Sequence, residues 1–376
     1  MQMYYEKRLM IGKRFVISVV IAFVIAVIVI SSENNLLILK DITKPGLLTN
    51  LLKHTIAYAV PIFLAALGGL YSERSGVINL ALEGMMLSGA FTAVIITYWT
   101  ENMIVGLLAG VLIGVVLGSL HAVICIHLKG DQIISGVAIN ILAFGITSFG
   151  YKLVLREGIR VESIPRITEL LDLEDQFSSV PDNYDIIRML GNILFDQSPL
   201  LYVTIALGLL GHYFLYNTLY GLRIRAVGEH PRAVDTAGAS VYALRYACVI
   251  FSGAMAAIAG VYLSMGILPG TFSKQMSASR GFIAIAAYIF GNWNIPGTVI
   301  ASIMFGFFEA LQEFLKLKGI YLNIPMFLPG RGWKTFNILN EQIIDMIPYL
   351  LTVAVLARSI RKVHPPGAIG RPYEKE

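Results

Sequence analysis

Hydrophobic residues along this chain do not alternate with polar ones, nor do they mark one stripe of a half-buried helix. They run on for about twenty residues at a time. Such runs cover approximately residues 15–37, 50–70, 77–98, 103–128, 132–155, 199–217, 243–268, 279–291, 297–316 and 342–357. Most are long enough to cross a hydrocarbon core of about 30 Å as a helix, and the eighth is short. The pattern predicts an all-α polytopic membrane protein with about ten transmembrane helices, one domain over residues 1–376. "GNWNIPG" at 291–297 leaves two readings open, a break within the membrane or a surface turn.

The polar interruptions set the orientation. Lys7, Arg8, Lys13 and Arg14 precede "FVISVVIAFVIAVIVI", which resembles a signal peptide, but the apolar run is long and "SSENN" lacks a small-residue cleavage pattern. A retained first span starting from the cytoplasm is expected. Alternation then puts residues 71–76, the segment 218–242 and the tail with Arg358, Arg361, Lys362, Arg371 and Lys375 inside. That agrees with the excess of basic residues in cytoplasmic loops. The loop 156–198 falls outside and carries nine acidic residues against four arginines.

Composition supports this reading. Hydrophobic residues make up 56% and charged residues 14%, against about 25% charged in soluble domains. Mean hydropathy is +0.70. The net charge of +5 lies at span ends, where it reports topology beside membrane lipid, so no nucleic-acid partner is expected. Cys125 and Cys248 both fall in apolar runs, which excludes a disulfide framework or a cysteine metal cluster. No G-x-x-x-x-G-K-[ST], H-E-x-x-H, C-x-x-C or G-x-S-x-G occurs, so neither an enzyme nor a bound cofactor or metal is expected. His121, His127 and His212 lie near span ends, as interfacial or packing histidines do.

Gly106, Gly110, Gly114 and Gly118 recur at every fourth position, a smooth ridge on which another helix can pack closely. "SGAMAAIAG" offers a similar face in the seventh run.

Polar groups inside a bilayer are costly and are candidates for function. Asn79 and Glu83 are spaced i, i+4, on one face of a helix if the third run is helical throughout. Either they border a path, or Asn79 satisfies the "SERSG" turn while Glu83 stays protonated or caps a neighbouring helix. Asn140, near the middle of the fifth run, has an interhelical hydrogen bond as its alternative. Glu309, Gln312 and Glu313 share a face near the outer end of the ninth, with Glu309 deepest. Lysine and arginine are nearly absent from span interiors, which favours a neutral polar solute over an anion.

"GLRIRAVGEHPRAVDTAG" at 221–238 interrupts the apolar pattern. Pro231 suits the first position of a helix and Gly238 the position after its end, so "PRAVDTA" is predicted as a helix of about two turns, with Ser240 capping the next span. It is either a docking element for a soluble partner or a basic loop serving orientation alone. A candidate internal repeat aligns "SERSGVINLAL" (72–82) with "SASRGFIAIAA" (277–287) at Ser, Gly, Ile and Ala. If real, the halves are inverted, an arrangement that places a substrate path at their interface.

These residues resemble the permease subunits of ABC importers in the branched-chain amino acid and simple-sugar group, and look closest to the nucleoside-type permeases. The resemblance rests on "ALGGLYSERSGVINLALEGMMLSGAF" (66–91), "DQIISGVAINILA" (131–143), "GLRIRAVGEHPRAVDTAG" (221–238), "GFIAIAAYIFGNWNIPG" (281–297) and "GAIGRPY" (367–373). It implies an inverted-repeat permease of about ten helices in the bacterial cytoplasmic membrane, both termini inside. It implies as partners a second related permease subunit, cytoplasmic ABC ATPase subunits and an extracytoplasmic substrate-binding lipoprotein. It also implies a solute path bordered by Asn79, Glu83, Asn140, Phe282 and Glu309, and an ATPase-coupling segment formed by Arg223, Arg225, Gly228, Glu229, Pro231, Arg232, Ala233, Asp235 and Gly238. Sugar-type relatives commonly carry aspartate where this chain has Asn79, a departure that favours nucleosides, with a simple sugar or another neutral solute as the alternative. An ion-coupled carrier or channel is the reading from a different class. It would be expected to place acidic groups at the midplane, where only Glu83 and Glu309 qualify.

Overall fold

The computed structural model describes residues 45–155, 160–166, 195–268, 270–317, 323–328, 332–337 and 364–375, with isolated positions at 169, 191, 193, 345, 346, 349 and 350. The runs at 15–37 and 342–357 lie outside or almost wholly outside these. Helix α1 covers Pro45–Arg74, α2 Leu82–Thr100, α3 Met103–Ala122 and α4 Gln132–Gly150, the last two continued by π-helical turns at Val123–His127 and Tyr151–Leu155. Then come α5 (Pro199–Asn217), α6 (Leu219–Glu229), α7 (Pro231–Thr236), α8 (Val241–Val261, extended by a π-helical stretch to Ile267), α9 (Arg280–Phe290) and α10 (Ile295–Leu317). An antiparallel hairpin, β1 (Asn323–Leu328) and β2 (Gly332–Asn337), pairs Asn323 with Asn337 through to Leu328 with Gly332. It lies between the apolar runs 297–316 and 342–357.

Among the described residues seven helices are long and apolar enough to span: α1, α2, α3, α4, α5, α8 and α10. Helix α9 has 11 residues, about 16 Å at 1.5 Å per residue, short of a hydrocarbon core.

Local chemistry explains the helix starts. Asn102 accepts from the amides of Ile104 and Val105, Asp131 from Ile133 and Ile134, Ser198 from Leu200, Thr218 from Gly221 and Ser240 from Ala243. Each cap satisfies first-turn donors that have no intrahelical partner. Helices α2 and α9 lack a side-chain cap of their own. That deficiency organises the site described below.

Burial separates centre from periphery. The most apolar windows of α1 and α8 are 89% and 78% buried, that of α3 only 22%. Ile104, Leu108, Leu112 and Val116 on α3 and Ile134, Ile141, Phe149 and Leu153 on α4 are exposed, as lipid-facing side chains are. The opposite face of α3 carries its glycines inward. A Cβ on Gly114 would sit 2.3 Å from Ala257 Cβ and 2.4 Å from Gly253 O, and one on Gly118 3.0 Å from Val249 O. The α3 ridge is therefore seated on the small-residue face of α8, backbone against backbone.

Candidate functional site

The chain is unwound between α1 and α2. Residues 75–76 and 80–81 form turns, 77–79 between them have no regular secondary structure, and α2 begins at Leu82. Helical spacing of Asn79 and Glu83 therefore does not hold, because Asn79 precedes the helix. Unwound backbone cannot leave its amides and carbonyls bare in an apolar interior. Side chains from four helices meet them here.

Gln132 Oε1 accepts from Ile78 N at 2.7 Å, and His121 Nε2 lies 2.9 Å from Ile78 O. That carbonyl can only accept, so Nε2 carries the proton, and Nδ1 faces Ser135 Oγ at 2.9 Å as acceptor. Asn79 Oδ1 accepts from Ala81 N at 2.9 Å while its Nδ2 donates to Ser252 Oγ at 2.9 Å. Asn140 bridges the break to the helix start: its Nδ2 donates to Leu80 O at 2.8 Å, and its Oδ1 accepts from Gly84 N at 2.7 Å. Ser72 Oγ donates to Val77 O at 2.7 Å. Asn140 thus supplies the α2 cap from α4.

Helix α9 is pinned at both ends by carboxylates on either side of this break. At its start, Glu83 accepts from Ser277 Oγ at 2.6 Å, Ser279 N at 2.9 Å and Gly281 N at 2.7 Å. The alternative in which Glu83 caps a neighbouring helix is the one observed, and a carboxylate there also complements the helix dipole. At the other end Glu73 accepts from Tyr288 Oη and Trp293 Nε1, each at 2.6 Å, and Arg74 Nε donates to Trp293 O at 2.8 Å. The flanking backbone is strained. Gln275, Ala278 and Ser279 before the helix, and Asn292 and Trp293 after it, have positive φ, a conformation that costs non-glycine residues about 1–3 kcal/mol each. Trp293 is buried while Asn292, Asn294 and Pro296 are exposed, so "GNWNIPG" is a turn between α9 and α10 anchored by Trp293. The stretches aligned above as a repeat differ locally: Gly76 sits in the unwound segment with φ +90°, Gly281 inside a helix. That short match does not mark equivalent positions.

At the first residue of α9, Arg280 Nε lies 3.0 Å from a Glu309 oxygen and its guanidinium 5.8 Å from the centre of the Tyr58 ring, whose hydroxyl bonds Glu313. Phe282, on the same helix, is 47% exposed.

The segment 218–242 holds two helices where one was expected. Helix α7 runs from Pro231 as its first residue to Thr236, with Gly238 at φ +83° beyond it. Arg232 and Ala233 are exposed, Asp235 half-buried and Val234 buried. The sequence pattern does not single out helix α6, since its apolar positions are interspersed with Arg223, Arg225 and two glycines; the Thr218 cap is its local signal. Arg225 stacks over Tyr216 at 5.2 Å and Arg223 over Tyr220 at 5.8 Å. Gly228 touches the end of α1: a Cβ there would lie 2.1 Å from Arg74 O. Glu229 Oε2 accepts from Gly367 N at 3.0 Å.

Sequence reading missed Glu73, placed above in a loop, His121 and Gln132, and also Arg245. Arg245 is buried in α8, where its Nε donates to Ser75 O at 3.1 Å and its Nη1 to Arg371 O at 3.0 Å. These residues became visible only once the break showed which backbone groups needed partners.

A bundle of apolar helices with lipid-facing flanks, a buried helix break and a polar helix pair between two spans defines a multi-pass membrane protein. Residues 51–356 match the family described as branched-chain amino acid transport system / permease component, and the chain belongs to it. It is similar to the guanosine ABC transporter permease protein NupQ of Bacillus subtilis, 36% identical over 85% of this chain and 95% of that protein. It is 33% identical to the nucleoside ABC transporter permease protein NupC of Lactococcus lactis, over 85% of this chain and 95% of the relative. A Haloferax volcanii permease provisionally assigned to glucose is also 33% identical, over 87% and 98%. No solved structure matches the chain.

Proposed function

We propose that the chain is the membrane-spanning permease subunit of an ATP-driven importer that takes up nucleosides delivered outside by a binding lipoprotein. The observation that carries this is the 36% identity to a guanosine permease over 95% of its length. ATP hydrolysis resides on separate cytoplasmic subunits that press on α7, whose exposed Arg232 and Ala233 face away from the bundle. A second permease completes the path, and both termini lie in the cytoplasm. Asn79, Glu83 and Asn140 border this path by holding the break and α9 in shape rather than by offering free polar ends. Phe282 is exposed to it, and Glu309 is paired with Arg280 beside it.

The test is to purify the complex from its own cells through a tag on this chain and reconstitute it in proteoliposomes. Labelled guanosine is expected to accumulate only with ATP on the ATPase side and binding lipoprotein on the other. Accumulation driven by a pH gradient without ATP would establish a carrier instead. ATP-driven uptake of glucose but not nucleoside would replace the substrate and leave the mechanism standing.

A further inference from the structure

The tail 364–375 has no helix and one turn at 367–370, yet it joins separate parts of the fold. Ala368 N donates to Gly228 O at 2.8 Å, at the end of α6, and Gly370 N to Gly76 O at 3.0 Å, at the head of the α1–α2 break. Arg371 O accepts from Arg245, the residue that also holds Ser75 O. Backbone-to-backbone bonds of this kind fix position without depending on rotamers. Gly370 has φ +72°, and a Cβ there would lie 3.0 Å from Ile78 Cδ1, so the tail lies directly on the unwound segment.

Farther along, the Tyr373 ring belongs to a small core with Val227 of α6, Val234 of α7, Ala239 and Val241. Tyr242 packs edge-on against it at 5.6 Å, and Lys375 lies 3.7 Å from Asp235. One short strap therefore touches α7 at Tyr373 and the break at Gly370. The break is in turn tied through Asn79, Asn140 and Glu83 to α8, α4 and α9.

We propose that Gly367–Tyr373 is the mechanical link that carries displacement of α7 into the α1–α2 break, with Gly370 and Tyr373 as positioning residues for transport. The proposal rests on the reading that an ATPase presses on α7. A strap serving assembly alone would alter how much complex forms. A link alters what each complex does with its ATP.

Gly370→Val and Tyr373→Ala, with Tyr373→Phe as the conservative variant, are compared in reconstituted complexes by guanosine uptake and ATP hydrolysis, both per assembled complex. Gly370→Ala replaces the valine should that variant not assemble. Uptake is expected to fall about tenfold or more in the disruptive variants, with hydrolysis within about twofold of the unaltered complex and KM for uptake unchanged, the pattern of a lost productive step rather than lost binding. Tyr373→Phe, which keeps the ring in the core and loses only the hydroxyl's bond to Asp235, should retain most of the uptake that Tyr373→Ala loses. Glu374→Gln, altering only the exposed pair with Lys129, should transport normally. Normal uptake per complex in the disruptive variants, whatever their yield, would overturn the link, as would loss of hydrolysis together with uptake. An unaltered complex that hydrolyses ATP but moves no nucleoside would instead count against the proposed substrate, and labelled glucose is then the solute followed.

Discussion

Asn140 shows what a polar residue inside this fold is used for. Its amide closes the Leu80 carbonyl and the Gly84 amide, neither of which has a helical partner. A side-chain hydrogen bond between membrane helices averages only about 0.6 kcal/mol, because the separated helices find other partners. Unwound backbone has fewer alternatives, and an unsatisfied buried group costs about 1–3 kcal/mol. The second figure governs here. Asn140→Ala is therefore expected to lower the unfolding temperature of the detergent-solubilised protein and the amount of assembled complex, with uptake per surviving complex less affected. Ser119→Ala is the comparison, since Ser119 Oγ donates to Val115 O within an intact helix, and its removal should change neither. Glu83→Gln is expected to be worse than its small size suggests. Its carboxylate receives three donors around the start of α9, and an amide would turn its own NH2 toward some of them.

Helices α3 and α7 give opposite lessons about elements. The α3 ridge sits so close to α8 that any side chain on Gly114 meets backbone. Gly114→Leu should abolish folded protein, as overpacking beyond the usual 1–3 kcal/mol of a core insertion does. A Cβ on Gly145 of α4 would meet nothing within 4 Å, and Gly145→Leu should express and transport normally; western blotting of membranes separates the two. Helix α7 is only six residues long, which changes where a proline can break it. Ala233 is in the first turn, where proline is tolerated. Val234 N donates to His230 O, and its side chain is buried in the small core that includes Tyr373, so Val234→Pro is the breaking variant, at about 3 kcal/mol. Protein should still reach the membrane but lose uptake, whereas Arg232→Gln should retain it. The reverse outcome would return the segment to a basic loop that serves orientation alone.

At the scale of the whole molecule, the described helices form two kinds of region: apolar flanks on α3, α4 and α5, and a hub where α6, α7, the start of α8 and the tail meet. Run length and composition by themselves determined the membrane class, the approximate positions of the long helices, the glycine ridge and the short helix opening at Pro231, because these depend on transfer from water and on caps a few residues away. Motif likeness supplied the family. Only the tertiary structure decided that 77–81 is unwound, that Asn79, Asn140, His121 and Gln132 are committed to its backbone, and that Glu73 and Glu83 pin α9. The reason is physical. Whether a buried polar side chain is free for a solute depends on which backbone groups lack partners, and at a helix break those groups are met by residues about 50 to 200 positions away, a relation that no local pattern in the chain records.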